Sequence, residues 1–309
     1  MARQPALLDI DLKLLRIFQA VVLHNGFSAA QGALGMTQAT ISSHMKLLEA
    51  RLDVRLCERG RSGFFLTDEG KRVHSAMLDL FGSIESFRGS VAAARGELAG
   101  VLNFGTVDAM HTNPGLDLAA ALADFARAAP KVRLEIDIAA PQALAQGLLS
   151  GRYHMILCPS QRHPGQVRAT DLFDEEQRLY CGAGHALFGV PDAAITPAML
   201  AEHPFAGRTY MPEAPICGVD FRWAAATAHM EGTALLLCSG AYLSFLPRHF
   251  AEPWVRQGAM RAILPDRFAF LDRFEIVRPA KERVPAVAVL ATCLGARARP
   301  PAGEAGASP

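Results

Sequence analysis

The stretch from residue 28 to residue 52, SAAQGALGMTQATISSHMKLLEARL, predicts two short helices joined by a tight turn. Ser28 is a favourable N-cap, and Gln31 three residues later completes a capping box. The first helix is expected to end at Gly35, and Thr37 offers the N-cap of the second. Two helices joined in this way are typical of a helix-turn-helix unit.

The second predicted helix is apolar on one side only. Ile41, Met45, Leu48 and Leu52 recur at steps of four, three and four residues, which makes one helical stripe. The opposite side is small, polar or basic and can enter a DNA major groove. On geometry alone, an ordinary amphipathic hairpin of a soluble protein remains an equal alternative. We predict that base edges are contacted by Gln38, Ala39, Thr40 and Ser43, and a phosphate or the minor groove by Lys46.

The sequence on both sides extends this unit. A preceding helix is predicted from the spacing of Leu12, Leu15, Phe18 and Val22. After the pair, residues 55–59 and 64–67 predict the two arms of a hairpin. Arg59 and Arg61 lie at its tip, where a wing reaches phosphate or the minor groove. For Arg61 taken alone, a solvated turn is an equal alternative.

A long helix is predicted over residues 68–98, capped by Thr67. Its apolar positions alternate in steps of four and three, which is the period of a coiled-coil seam. Such a seam needs a partner, and a second copy of the chain is the simplest one, so we predict a homo-oligomer. The seam consists of Val73, Met77, Leu80, Ile84, Phe87, Val91, Ala94 and Leu98.

The remainder of the chain alternates between strands and helices. Strands are predicted over 101–107, 132–138 and 154–158, with helices over 116–128 and 141–150 between them. This order implies βαβ units and a mainly parallel sheet. The pattern resumes less clearly later, with strands over 260–264 and 273–279 and a last helix over 284–298. Residues 299–309, rich in Pro, Gly and Ala, are predicted to be disordered.

Composition limits the classes of function. A chain of 309 residues predicts two or three domains, and a hydrophobic content of 50% argues against wholesale disorder. No apolar run approaches the roughly 20 residues that span a bilayer. No signal peptide is recognisable either, so we expect a cytoplasmic protein. The net charge of +1 restricts any DNA-binding surface to a local patch.

Motifs for catalysis or metal binding are missing from the sequence. The six cysteines occur singly, so zinc sites and thioredoxin-like chemistry have no support. There is no P-loop, no serine-hydrolase elbow and no zinc-protease motif, and GAGHALFG (182–189) lacks the spacing of a dinucleotide fingerprint. We therefore predict no cofactor, no metal and no enzymatic activity.

In this order of parts, the chain resembles the LysR-type transcriptional regulators along nearly its whole length. The resemblance rests on FSAAQGALGMTQATISSHMKLLEARLDVRLCERG (27–60) and on the Leu-Thr-x-x-Gly of residues 66–70. The later passage LEIDI…LLSGRYHMIL is similar to the family as well. The positions that match the N-terminal pattern are Thr37, Gln38, Ser42, Leu48, Glu49, Leu52, Val54, Leu56 and Arg59.

The resemblance implies an α/β protein in three parts. These are a winged helix-turn-helix domain (8–67), a linker helix (68–98) and a two-lobed effector domain like a periplasmic binding protein (99–298). Lobe I would comprise 99–168 and 271–298, and lobe II 169–270. The resemblance also implies that the chain binds promoter DNA as a dimer or tetramer, under the control of a small organic effector.

Two positions depart from the family pattern. Ser43 stands where a basic residue is common, which shifts the expected readout to residues 38–40. Asp108 stands where small hydroxyl residues are common. An acid there disfavours a simple carboxylate effector nearby, and favours a neutral or cationic ligand or one with a second functional group.

Candidate effector contacts follow from the expected sheet, because ligands bind beyond the carboxyl ends of parallel strands. For Thr106 and Gln142, a helix-capping role is an equal alternative. The candidates are Thr106, Asp108, Thr112, Gln142, Tyr210 and Ser239.

Two other functions stay open. One is a regulator of the same architecture that senses oxidants through a cysteine pair, Cys181 with Cys217 or Cys217 with Cys238. The other is an enzyme or solute-binding protein whose N-terminal helices only dimerise it.

Overall fold

A computed structural model describes residues 9–60, 63–94, 98–282 and 284–299. The chain divides into two compact units after Ile84. None of the helices in these ranges combines the length and apolar content needed to cross a membrane.

The N-terminal unit contains the three predicted helices and the predicted hairpin. Leu14, Phe18, Ile41 and Leu48 are fully buried in its core, so the apolar stripe of the second predicted helix faces inward as expected. The hairpin strands pair antiparallel, with Cys57 opposite Leu66. The elements are α1 (Asp9–Leu23), α2 (Gln31–Leu34), α3 (Gln38–Leu52), β1 (Cys57–Gly60), β2 (Gly63–Leu66) and α4 (Asp68–Ala94), the last of which continues past Ile84.

The first short helix begins later than predicted. Helix α2 begins at Gln31, and Ser28 lies in the turn before it instead of capping it. The Gln31 amide nitrogen donates to the Ser28 carbonyl (3.2 Å), while its Oε1 accepts from the backbone nitrogen of Gln38 (3.1 Å). Gln31 therefore ties α2 to α3. The other two signals are confirmed: Gly35 ends α2 at φ 60°, and the Thr37 side chain accepts from Thr40 N.

The long helix differs from a free coiled-coil strand. Its first half, through Val73, Met77 and Leu80, packs into the core of its own N-terminal unit. Phe87 and Val91 further along are exposed, at 68% and 40%. The helix is described to Ala94, short of the predicted Leu98, which lies outside any helix; residues 95–97 are outside the described ranges.

The C-terminal unit is built on one sheet with helices around it. The strands follow the order β4-β3-β5-β11-β6-β9-β7-β8, and β10 pairs with β6. The sheet is mixed, so the prediction of a mainly parallel sheet was wrong. The reason is that β6 and β11 are long antiparallel partners of each other, and β6 also pairs antiparallel with β9. The strands are β3 (Ala99–Thr106), β4 (Lys131–Ile138), β5 (Met155–Pro159), β6 (Val167–Gly182), β7 (Pro204–Arg208), β8 (Arg222–Thr227), β9 (Leu243–Pro247), β10 (Met260–Ala262) and β11 (Ala269–Pro279).

After α4, the described residues of this unit form six α-helices: α5 (Leu118–Ala128), α6 (Pro141–Leu149), α7 (Pro197–Glu202), α8 (Met230–Cys238), α9 (Arg248–Arg256) and α10 (Ala286–Arg297). Of the predicted tail, Arg299 is described, and its backbone nitrogen donates to Gly115 O (2.8 Å). Residues 300–309 lie outside the described ranges.

Two of the hydrophobic cores described in this unit share the central strands of its sheet. One contains Phe104, Phe125 and Phe274, and the other contains Leu179 and Phe268. Strands β6 and β11 pass through both, and between the cores they are polar, at residues 174–178 and 272–273. The sheet is therefore continuous, whereas the two cores are separated by these polar segments of β6 and β11.

Candidate nucleic-acid interface and ligand site

Helix α3 presents all five predicted DNA-contacting residues on its exposed side: Gln38, Ala39, Thr40, Ser43 and Lys46. Two of their polar groups are engaged within the helix. The Thr40 hydroxyl lies 2.9 Å from that of Thr37, and the Ser43 hydroxyl donates to Ala39 O (3.0 Å). The Gln38 amide and the Lys46 ammonium have no partner among the described residues, so both are available to a ligand.

Two polar contacts that sequence analysis missed hold α3 in place. Arg51 forms a bidentate ion pair with the buried carboxylate of Asp11 on α1, with Nη2 2.8 Å from Oδ2. Glu49 Oε1 accepts from the backbone nitrogen of Leu56 (2.8 Å), which joins α3 to the start of the hairpin. The ion pair joins residues 40 positions apart, which no local pattern indicates.

The hairpin is fixed to the long helix by a close backbone approach. The Thr67 hydroxyl accepts from the Gly70 nitrogen (2.9 Å), and the backbone nitrogen of Thr67 donates to Leu56 O (3.1 Å). A Cβ atom on Gly70 would lie 1.9 Å from Leu56 O, so only glycine fits there. The Arg59 backbone lies in β1. The Arg59 side chain and all of Arg61 are outside the described residues, and their predicted DNA contacts stay predictions.

In the C-terminal unit, a continuous hydrogen-bond network crosses the space between the two cores. The Thr112 hydroxyl lies 2.8 Å from His249 Nδ1, and His249 Nε2 lies 2.9 Å from Glu175 Oε1. Gln177 links Glu175 (2.7 Å) to Arg208, whose Nη2 donates to Gln177 Oε1 (3.3 Å). Asn113 and Tyr210 belong to this network through Glu175 and Arg208, and Asp108 joins it through Met230.

We call the network, together with the Asp272 carboxyl on the strand position opposite Glu175, the polar junction. It comprises Asp108, Thr112, Asn113, Glu175, Gln177, Arg208, Tyr210, His249 and Asp272.

Three predicted effector residues belong to the polar junction. Thr112 makes the His249 contact described above. Asp108 Oδ2 accepts from the Met230 nitrogen (2.6 Å) at the start of α8, and the Tyr210 hydroxyl accepts from Arg208 Nη1 (3.1 Å). Burial raises the pKa of Tyr210, which keeps its hydroxyl protonated.

The other three predicted effector residues are placed differently. The Thr106 hydroxyl, at the end of β3, is buried and has no hydrogen-bond partner within the described ranges. Gln142 is exposed in the first turn of α6. Ser239 lies at the C-terminal end of α8, where it donates to Leu236 O (2.6 Å), whereas Asp108 contacts the opposite end of that helix. The structure does not bring Ser239 together with the polar junction.

Six residues of the polar junction were missed by sequence analysis: Asn113, Glu175, Gln177, Arg208, His249 and Asp272. The sequence held a weak signal for two of them, because Glu175 and Gln177 are polar and lie two positions apart, so in a strand both side chains project from the same face. In the structure both are buried. The strand containing Arg208, β7, was not predicted.

The cysteines proposed as redox partners all have raised thiol pKa values, although Cys217 and Cys238 are exposed. Burial raises the pKa of Cys181 to about 11, and desolvation raises the pKa of Cys217 and Cys238 as well. Since the thiolate is the reactive form, these shifts argue against oxidant sensing by either pair. Within the described ranges, no group of three or more His, Cys, Asp or Glu side chains is arranged to hold a metal ion.

Comparison with known proteins gives the family. A model described as "Bacterial regulatory helix-turn-helix protein, lysR family" matches residues 12–71, and one described as "LysR substrate binding domain" matches residues 95–299. The chain is 37% identical over 271 residues to the HTH-type transcriptional activator BauR of Pseudomonas aeruginosa, covering 87% of this chain and 89% of that protein.

Solved structures agree in fold. Full-length OxyR from Pseudomonas aeruginosa superposes with a TM-score of 0.60 at 22% identity, over 95% of this chain and 98% of OxyR. CbnR, a LysR family transcriptional regulator, gives a TM-score of 0.64 at 19% identity, over 93% and 99% of the two chains. Family models match residues in both units, and BauR is similar along most of the chain. This chain therefore belongs to the LysR family of bacterial transcriptional regulators.

Proposed function

We propose that this chain binds promoter DNA as a homo-oligomer and that a small organic effector, bound at the polar junction, modulates it. The observation that carries the DNA-binding part is the exposed side of α3, where the Gln38 amide and the Lys46 ammonium have no partner among the described residues. A related structure, of CbnR, is a complex with its target DNA. A regulator that reads promoters works beside the DNA, in the cytoplasm, and we propose no catalytic activity for it.

The residues on α3 have different roles in this proposal. A glutamine amide can donate to and accept from adenine in a bidentate pair, so Gln38 specifies sequence together with Ala39, Thr40 and Ser43. Lys46, and Arg59 and Arg61 of the predicted wing, contact phosphates or the minor groove, and phosphate contacts carry no sequence information themselves.

Fluorescence anisotropy with DNA from the region upstream of the gene tests this division. Gln38→Ala should relax discrimination at particular base pairs by about 1–3 kcal/mol. Lys46→Ala should weaken all sites alike and reduce the salt slope by about one. Lys281→Ala, which removes an exposed lysine of the C-terminal unit, is the matched control and should change neither. Absence of specific binding by the unmodified protein at moderate salt would refute the proposal.

Self-association is supported by apolar surface that a single chain leaves uncovered. Phe87 and Val91 continue the seam of α4 beyond the part packed in the N-terminal core. In the C-terminal unit, β4 is an edge strand, and Ile136 and Ile138 on it are 47% and 57% exposed. Exposed edge strands and apolar stripes of this kind favour pairing with another chain. We therefore propose a second copy as the partner of both surfaces.

Sedimentation of the full chain measures this association. Phe87→Glu should shift the oligomer toward monomer, because it places a charge in the seam. Leu235→Glu makes the same chemical change at a position that is 70% exposed, close to the 68% of Phe87, and should leave the mass unchanged. An equal effect of both substitutions would show that α4 is not the interface.

A further inference from the structure

The most unusual charge in the polar junction is the guanidinium of Arg208. Only 8% of this residue is exposed, and it donates to neutral acceptors: the Tyr210 hydroxyl, Gln177 Oε1, the Met230 sulfur and Phe245 O. No carboxylate of the described residues lies within 4.0 Å of it. Buried charges are normally paired, and the planar fork of arginine fits a carboxylate in a bidentate manner. Arg208 is therefore a buried cation at the end of β7 whose acceptors are all neutral, which makes it a candidate anion-binding group.

Asp272 is the complementary group. It lies on β11 directly opposite Glu175 in the register of the two central strands. Cross-strand neighbours of an antiparallel pair project from the same face of the sheet. Within the described ranges, the Asp272 carboxyl has no hydrogen bond and no ion pair. Burial raises its pKa to about 6, and the charge of Arg208 opposes this rise without contacting the carboxyl.

Asp108 and Tyr210 join these two groups. Asp108 approaches from the loop after β3 and contacts Met230, the same residue whose sulfur Arg208 touches. The Tyr210 hydroxyl is within electrostatic range of Arg208, Asp108 and Asp272 together. Positive and negative groups thus lie close to the Tyr210 hydroxyl, and no direct ion pair joins Arg208 to Asp108 or Asp272.

These charges exclude simpler effectors. A monoanion on Arg208 would lie near three carboxyl groups, those of Asp108, Glu175 and Asp272, and like charges repel at short range. A simple cation on the carboxyl groups would leave the buried guanidinium unpaired. A ligand that carries both charges satisfies both requirements.

We propose that the effector is a small zwitterion of the amino-acid class, with its carboxylate on Arg208 and its ammonium group on Asp272, assisted by Asp108. The inference rests on the proposed function, in which the effector binds at the polar junction. A direct ion pair between an ammonium group and the carboxylate favours the ionised form of Asp272, so binding near pH 6 releases a proton.

Calorimetry of the full chain with matched compounds tests this class. The probes are unbranched amino acids of two to six carbons with the amino group at the α or the terminal carbon. Each is compared with the acid that lacks the amine and the amine that lacks the acid. We expect at least one amino acid to bind at least tenfold more tightly than both of its single-charge analogues. Its observed binding enthalpy at pH 6 should depend on the ionisation enthalpy of the buffer.

Variants locate the binding. Arg208→Gln and Asp272→Asn should each weaken binding of that amino acid at least tenfold, and Asp272→Asn should bind the matching acid no worse than the parent does. Arg256→Gln, a change at an exposed arginine on α9, is the control and should have no effect. Tryptophan fluorescence of each variant verifies that the C-terminal unit is folded.

The possible failures are distinguishable. If an acid without an amine binds equally well and Arg208→Gln abolishes it, the junction is the effector site but the zwitterion proposal is wrong. If amino acids bind the variants as tightly as the parent, the ligand lies elsewhere, which overturns both this proposal and the placement of the effector. Failure of every amino acid to bind overturns the zwitterion proposal, while the DNA-binding proposal is judged by its own assay.

Discussion

Replacing Gly70 by alanine should detach the base of the hairpin from the long helix. The new Cβ would lie 1.9 Å from Leu56 O and 2.8 Å from the Leu56 carbonyl carbon, both backbone atoms. Because the backbone nitrogen of Thr67 also donates to that carbonyl oxygen, relief of the clash strains or breaks this contact. Overpacking of this kind costs about 1–3 kcal/mol. With a urea slope near 1 kcal/mol/M for a small unit, the midpoint should fall by about 1–3 M.

The two units can be followed separately in the same experiment. Both tryptophans, Trp223 and Trp254, belong to the C-terminal unit, so their fluorescence does not report on the N-terminal unit. Hydrogen exchange of the amides in residues 9–60 reports on the latter. We expect Gly70→Ala to shift the exchange transition and to leave the fluorescence transition in place.

Gly82→Ala is the matched control on the same helix. Among the described residues, a Cβ at Gly82 meets no atom within 4 Å outside the adjoining backbone of its own helix, so the substitution should be neutral or stabilising by up to about 1 kcal/mol. The reasoning would be refuted if both alanines had the same effect on residues 9–60, or if Gly70→Ala shifted the fluorescence transition as much as the exchange transition.

Three further outcomes are expected. Glu49→Ala removes the acceptor of the Leu56 nitrogen and should weaken DNA binding at every sequence, as measured by anisotropy. Glu49→Gln keeps an oxygen at this position and should retain most of the binding, so equal losses in the two variants would contradict the role of this contact. Because the pKa of Asp272 is raised to about 6, its protonated carboxyl favours the fold below about pH 4, and this contribution is lost as the pH rises through 6. The urea midpoint of Asp272→Asn should therefore rise relative to that of the parent from pH 4 to pH 7, and a difference independent of pH would be inconsistent with the raised pKa. Peroxide treatment should leave DNA binding unchanged, because the thiols of Cys217 and Cys238 have raised pKa values, and a loss that Cys217→Ser prevents would restore the redox hypothesis.

Local sequence determined most of the N-terminal unit. The caps at Gly35 and Thr37, the stripe of Ile41, Met45 and Leu48, and the hairpin after α3 depend on residues within one or two turns of each other, where periodicity and capping chemistry act directly. The error at Ser28 is also local: Gln31 does contact Ser28, but the helix begins at Gln31 itself, with no side-chain cap.

Only the tertiary structure decided the composition of the polar junction. Its contacts join residues far apart in the chain: Thr112 and His249 are separated by 137 positions, and Asp108 and Met230 by 122. Such pairs depend on how β6 and β11 cross between two hydrophobic cores, and no periodicity encodes that crossing. The sequence by itself determined that a helix-turn-helix exists and which side of its second helix is exposed, because a helix is a local structure. Which charges meet at the polar junction is a property of the folded sheet, because its strands are brought together from distant parts of the chain.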